Sequence, residues 1–252
     1  MAHVGVLKVL CGAGIPIDYI SGTSIGAWVG AYYAKTKDVQ QLEQTTLGYK
    51  KEKLRALLEP TLKKGGVIKG DRLESLLIQL LGNPLFSSLE IPLTVVATSI
   101  KTGDEIHYSK GYVVQALRAS TAIPLMFAPV KYRGDLLVDG GLSNPLSTDV
   151  VKSMGADIVI AINLDGYLRR ATQDKQDPKS LRHAAATSFD LVRYHLAEKN
   201  ARLADVVIEP HFKVQTFKTW KGYFLENKEM EFMKAGERAA QEALPKIKKL
   251  LR

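Results

Sequence analysis

The chain has 252 residues, 46% of them hydrophobic and 24% charged, proportions ordinary for a globular protein and foreign to a disordered or fibrous one. Lysine and arginine outnumber aspartate and glutamate by 35 to 26, giving a net charge of +9. Such a balance suits a polyanionic partner, nucleic acid or an anionic membrane face, beside the plainer reading of simple solubility. No RNA-binding or zinc-finger pattern is present, so lipid is the preferred partner and nucleic acid is not expected. The one cysteine, Cys11, excludes an intramolecular disulfide framework and a multi-cysteine metal site. It lies in an apolar run and reads as a small core residue. No apolar stretch approaches the roughly 18 residues that span a bilayer. His3 and Lys8 interrupt the start where a signal peptide needs an unbroken apolar region. The expectation is a cytoplasmic protein, peripheral to a membrane at most.

In chain order, Val4, Leu7, Val9 and Leu10 begin a helical pattern that breaks at Gly12-Ala13-Gly14. Ile17 to Ser21 reads as a buried strand. A tight turn, Gly22-Thr23-Ser24-Ile25-Gly26, leads into an alanine-rich helix from Ala27 to Lys35. Asp38 to Leu81 is charged and mostly helical, interrupted by Pro60 and by Gly65-Gly66. Strands are expected at Pro92 to Ser99 and Glu105 to Tyr108, joined by the hairpin turn Thr102-Gly103-Asp104. Val113 to Ala119 reads as a short helix ended by Ile123-Pro124. Leu136 to Val138 is a strand leading into Asp139-Gly140-Gly141. A helix at Ser147 to Ser153 and a strand at Ile158 to Ile162 follow. Asp165 to Lys179 is a polar loop. Ser180 to Leu203 is a long helix, Val206 to Ile208 a strand and Asn227 to Leu251 a terminal helix. Alternation of this kind predicts an α/β fold with a mostly parallel sheet covered by helices, in a single domain spanning 1–252.

Two short motifs carry chemistry. Gly22-x-Ser24-x-Gly26 has the pattern of a nucleophile elbow, in which small residues let a serine occupy a strained strand-to-helix turn. The helix that follows then aims its N-terminus at developing negative charge, with the Ile25 N–H as a backbone donor. A serine needs a positioned base. The chain has five histidines, His3, His107, His183, His195 and His211, none in a glycine-flanked loop. Asp139 follows a strand and precedes Gly140 and Gly141, which allow close backbone approach. A carboxylate there can take the serine proton directly if it lies within about 2.6–3.2 Å; an Asp-Gly turn residue is the plain alternative.

Several blocks together resemble the patatin-like phospholipases. His3-Val4-Gly5-Val6-Leu7, Gly14-Ile15-Pro16-Ile17-Asp18 and Gly22-Thr23-Ser24-Ile25-Gly26-Ala27 are similar to that family's opening. Ala97-Thr98-Ser99 with Thr102-Gly103, Arg118-Ala119-Ser120-Thr121-Ala122-Ile123-Pro124, and Asp139-Gly140-Gly141-Leu142-x-Asn144-Pro145 follow in the same order. The resemblance runs from His3 to about Leu164, and the helical part from about 165 to 252 carries no such motif. It implies a three-layer α/β/α sandwich and a Ser24–Asp139 dyad that works without histidine, metal or cofactor on acyl lipids such as phospholipids or lysophospholipids.

The family's glycine-rich loop G-G-G-x-[RK]-G, a source of oxyanion donors, normally lies just before the block that opens at Met1-Ala2-His3. The expectation is that the natural start lies further upstream. Two rival readings stand beside the dyad: a Ser-His-Asp hydrolase using His183 or His195, and a regulatory or lipid-binding protein weakened by loss of that loop. At the C-terminus Lys246, Lys248, Lys249 and Arg252 flank Ile247, Leu250 and Leu251. They form either a basic amphipathic membrane contact or a solvated helix end suited to the dipole. Trp220, Tyr223 and Phe224 read as packing residues or an interfacial anchor. Head group, chain length and oligomeric state have no motif.

Overall fold

A computed structural model of the chain describes residues 1–48, 68–124, 126–166, 181–211 and 228–252. In chain order the helices and strands are α1 (Ala2–Gly12), β1 (Ile20–Thr23), α2 (Ile25–Thr36), α3 (Val39–Gly48), α4 (Asp71–Leu81), β2 (Leu93–Ser99) and β3 (Glu105–Tyr108). There follow α5 (Val113–Ser120), β4 (Val130–Tyr132), β5 (Asp135–Asp139), α6 (Thr148–Ser153), β6 (Ile160–Ile162), α7 (Leu181–Ala201), β7 (Val206–Ile208) and α8 (Glu229–Leu250). Pro60, Gly65-Gly66, the greater part of the Asp165–Lys179 loop, and Trp220, Tyr223 and Phe224 lie outside the described residues. The described residues divide into two compact units, one of residues 17–156, the other of residues 1–16 and 157–252.

The first unit is built on a five-stranded sheet in the order β1-β2-β5-β4, with β3 pairing β2 as well. All seven residues of β2 are buried, which requires cover on both faces of the strand. The α/β class holds, but the sheet is mixed where the sequence suggested a mostly parallel one. Only β1 runs parallel to β2; β2–β3, β2–β5 and β4–β5 are antiparallel. Two of these pairs, β2–β3 and β4–β5, are tight hairpins, and strands joined by a short turn must run antiparallel. One uses Gly103 at φ 78, with the Gly103 N–H donating to Ser99 O at 2.9 Å. The other turns at Arg133 (φ 46) and Gly134 (φ 79), the two positive φ values that a two-residue hairpin loop demands.

The second unit joins α1, α8 and a parallel β6–β7 pair in which Ile160 faces Val206. A crossover helix, α7, separates these two strands in the chain, as parallel neighbours require. Val6, Leu10, Ile15, Val206, Ile208, Ala240 and Ile247 form its core. The crossing of α1 and α8 is backbone on backbone. A Cβ on Gly5 would stand 2.0 Å from Met233 O, and one on Gly236 would stand 2.1 Å from Ala2 O. Lys8 and Glu237 close the crossing with an ion pair at 2.7 Å. Among the described residues no helix is long and apolar enough to cross a membrane.

Candidate active site

Ser24 lies between β1 and α2 with φ 53 and ψ −121, a region that L-residues avoid and that costs on the order of 1–3 kcal/mol. A serine at a helix N-cap normally folds its hydroxyl onto the first turn, yet this one makes no side-chain capping bond. The turn is as tight as the motif suggested. A Cβ on Gly22 would fall 2.7 Å from both N and Cα of Ala27, so strand and helix can close on each other only with glycine there. Ser24 is 8% exposed, with half-buried Ile25 and Gly26 after it. Their N–H groups open α2, and the first N–H groups of a helix have no intrahelical acceptor and carry its positive end.

The Ser24 backbone is held from the neighbouring elements. Its N–H donates to Ser120 Oγ at 2.8 Å, and that hydroxyl donates to Val96 O at 2.6 Å. A completely buried serine on α5 therefore braces the elbow against β2. Sequence reading included Ser120 in a block but gave it no role, because a hydroxyl on a short helix discloses nothing until its partners are known.

Asp139 ends β5, which continues beyond β1 along the same edge of β2, since β3 takes the other edge at Val95 to Thr98. Thr23 pairs with Val96 and Asp139 with Ala97, so the serine elbow and the aspartate meet at one level, at adjacent positions on one edge of β2. A Cβ on Gly140 would meet Val96 O at 2.3 Å and Thr23 Cγ2 at 3.0 Å. Gly140 thus lies against Thr23, the residue before Ser24. Asp139 is 3% exposed, and its carboxylate accepts the Gly141 N–H at 2.8 Å through Oδ1. Its N–H donates to Ala122 O at 3.0 Å and its carbonyl accepts Thr98 Oγ1 at 3.0 Å. The two glycines contribute differently, since Gly140 permits the approach and Gly141 supplies the donor.

Asn144 fastens this turn to the elbow strand. Its carbonyl accepts the Thr23 hydroxyl at 2.8 Å, and its N–H donates to Gly140 O at 2.8 Å. The side-chain amide is fully buried and donates to Glu105 Oε2 at 3.0 Å and Asp149 Oδ1 at 2.8 Å.

Three of the five histidines have described surroundings of their own. His107 Nε2 lies 2.9 Å from Glu105 Oε2, and the His195 ring meets Tyr194 edge-on at 5.2 Å. The His3 ring is buried, and that burial, helped by the positive amino terminus, pushes its pKa down to about 3. His211 is exposed, and the His183 side chain lies outside the described residues. Among the described residues no group of three His, Cys, Asp or Glu side chains could hold a metal ion.

A mixed α/β sheet that brings a strained serine elbow and an Asp-Gly-Gly turn to one level defines the class of the protein. Residues 1–152 match the family described as patatin-like phospholipase, and the chain belongs to that family. An uncharacterized NTE family protein of Mycobacterium tuberculosis is 32% identical over 165 residues, 66% of this chain and 46% of that protein. A lysophospholipase nte1 of Aspergillus fumigatus is 31% identical over 167 residues, 65% of this chain and 11% of that protein. The chain therefore spans less than half the length of either. The crystal structure of VipD from Legionella pneumophila superposes with a TM-score of 0.53 at 14% identity, covering 97% of this chain and 64% of that one. That likeness is one of fold.

Proposed function

We propose that the chain is a serine lipid acyl hydrolase in which Ser24 is the nucleophile and Asp139 its base. The observation that carries this reading is the backbone of Ser24. A serine held at φ 53 between a strand and a helix N-terminus stores strain that a purely structural turn would shed by placing glycine there. Family membership and the lysophospholipase named among its relatives point the same way.

The chemistry follows from the arrangement. Ser24 Oγ adds to the ester carbonyl while its proton passes to the Asp139 carboxylate. The oxyanion develops beside the Ile25 N–H and the positive end of α2. Collapse expels the alcohol, which leaves with the proton from Asp139. Water then adds to the acyl-serine and gives its proton to Asp139; collapse returns that proton to Ser24 Oγ as the fatty acid departs. No cofactor or metal takes part. Acyl lipids, phospholipids and lysophospholipids among them, are the substrate class, and the protein works at the face of an anionic membrane.

Hydrolysis of a medium-chain p-nitrophenyl ester by the purified chain, beside Ser24→Ala and Asp139→Asn, tests the reading. Turnover should fall at least a thousandfold in both variants while their circular dichroism is unchanged. Activity that survives in Asp139→Asn but is lost in His195→Ala or His183→Ala would transfer the base to a histidine.

A further inference from the structure

Resting on that reading, we infer that Ile123, Pro124 and Met126 form the wall against which the acyl chain of the ester lies, and that they set its preferred length. Three observations lead there.

The first is position. Ala122 O accepts the Asp139 N–H at 3.0 Å, and Ile123 is bonded to that same carbonyl carbon. Covalent geometry therefore keeps the Ile123 Cα within about 7 Å of the Asp139 nitrogen. The chain then doubles back, with the Met126 and Phe127 N–H groups donating to Ile123 O at 3.1 and 2.9 Å. The apolar turn consequently stays beside the acid instead of running away from it. Two residues earlier, Ser120 holds the nucleophile's own N–H. One segment thus touches both halves of the dyad and continues directly into apolar residues.

The second is exposure. Phe127 is buried, but Ile123, Pro124 and Met126 are half-buried, so apolar surface remains open to solvent next to a buried carboxylate. Half-buried Ile25 adds apolar surface directly after the nucleophile. An ester placed on Ser24 must send its acyl chain somewhere, and apolar surface in the segment that braces both residues of the dyad gains by covering it. Methionine suits such a wall, because its flexible thioether adapts to chains of different length.

The third is rigidity. Arg118, buried on α5, donates through Nη2 to Lys69 O at 2.6 Å and Ala128 O at 3.1 Å, with its guanidinium 5.9 Å from the Phe127 ring centroid. Ile68 is bridged to the same segment, accepting the Ala128 N–H and donating to Met126 O, both at 2.8 Å. Gly70 sits at φ 91, where a Cβ would fall 2.2 Å from the guanidinium. The turn is therefore fixed from behind and presents a preformed face, which lowers the ordering cost of binding.

The test compares kcat/KM for p-nitrophenyl butyrate and laurate in the parent, Ile123→Trp and Met126→Trp, with Ile78→Trp on α4 as a remote control. Each methylene buried against the wall is worth about fourfold in affinity. Blocking it should lower the laurate-to-butyrate ratio at least tenfold. Ile78→Trp should leave the ratio unchanged. If either tryptophan variant unfolds, Met126→Ala replaces it and should lower the ratio threefold or more. A ratio unmoved in every wall variant overturns the inference. Laurate binding by calorimetry separates its failure from failure of the hydrolase reading. Should the parent hydrolyse neither ester, the hydrolase reading falls. The wall then stands only if the parent binds laurate and Met126→Trp weakens that binding tenfold.

Discussion

At Ser24 the strained backbone and the proposed nucleophile are the same residue, which makes the strain measurable. Glycine adopts φ 53, ψ −121 without the penalty, whereas alanine inherits it. Ser24→Gly is therefore expected to raise stability by about 1–2 kcal/mol. For a chain of this size that is roughly 2–4 °C in Tm, while Ser24→Ala stays near the parent; both abolish turnover. Differential scanning calorimetry of the three proteins decides it, and a glycine variant no more stable than the alanine variant would mean that the elbow stores nothing. Ser24 and Asp139 stood out in the sequence because a tight turn leaves glycines beside it. At Gly22 and Gly140 backbone atoms of other residues stand where a Cβ would have to be. Ser120, Asn144 and Arg118 were not legible as supports. Each is a polar residue in an ordinary turn or helix, and its meaning resides in a partner far along the chain: Ser24, Thr23 and Lys69 respectively.

The α1–α8 crossing rests on two glycines that read in sequence as ordinary helix residues. Either alanine substitution, at Gly5 or Gly236, puts a Cβ about 2 Å from a carbonyl oxygen of the other helix. The helices must then part, as overpacking against backbone does not relax cheaply. The expected cost is about 2–3 kcal/mol for each, read as a lower urea midpoint with unchanged slope. His3 adds a pH dependence to the same helix. Its folded pKa of about 3 lies below the ordinary value of 6.5, so between those limits the unfolded chain binds the proton and the folded one does not. Stability is therefore intact above pH 6.5 and falls as the pH drops toward 3, by up to roughly 1.4 kcal/mol per pH unit. His3→Leu should flatten that slope in urea titrations at pH 7.5, 5.5 and 4.5; equal slopes would discount the buried ring. Elements with their own periodicity or long apolar runs, such as α2, β2 and α8, were read from sequence to within three residues. β1 was expected at Ile17 to Ser21 and lies at Ile20–Thr23, since its limits are set by pairing with Leu93 to Val96. β4 went unread: three residues leave no alternation to detect, and its turn signal, Arg133-Gly134, lacks the Asn-Gly or Asp-Gly signature of a two-residue hairpin loop.

The net charge of +9 belongs to the molecule as a whole, and the structure narrows how it could serve a membrane. Ile247, one apolar member of the C-terminal cluster, is completely buried in the core of its unit. Lys246 is bonded to Asp205 O at 2.6 Å. What remains outward is a basic helix end, Lys248 and Lys249 with Leu250 and Leu251 at 42% and 45% exposure. Two half-exposed leucines offer little area to insert, so attraction to a lipid surface should come chiefly from charge. Charge acting through water is screened within about 8 Å at physiological ionic strength and within about 3 Å at 1 M. Sedimentation with phosphatidylglycerol vesicles should therefore capture the protein at 50 mM salt and release it at 0.5 M, with phosphatidylcholine vesicles capturing little at either. Ser24→Ala should behave as the parent, because the attraction does not pass through the dyad. Binding that persists at high salt, or that is equal on neutral lipid, would instead assign the contact to apolar surface. Ile123 and Met126, half-buried apolar residues of the turn after Ala122, would then be the first place to seek it.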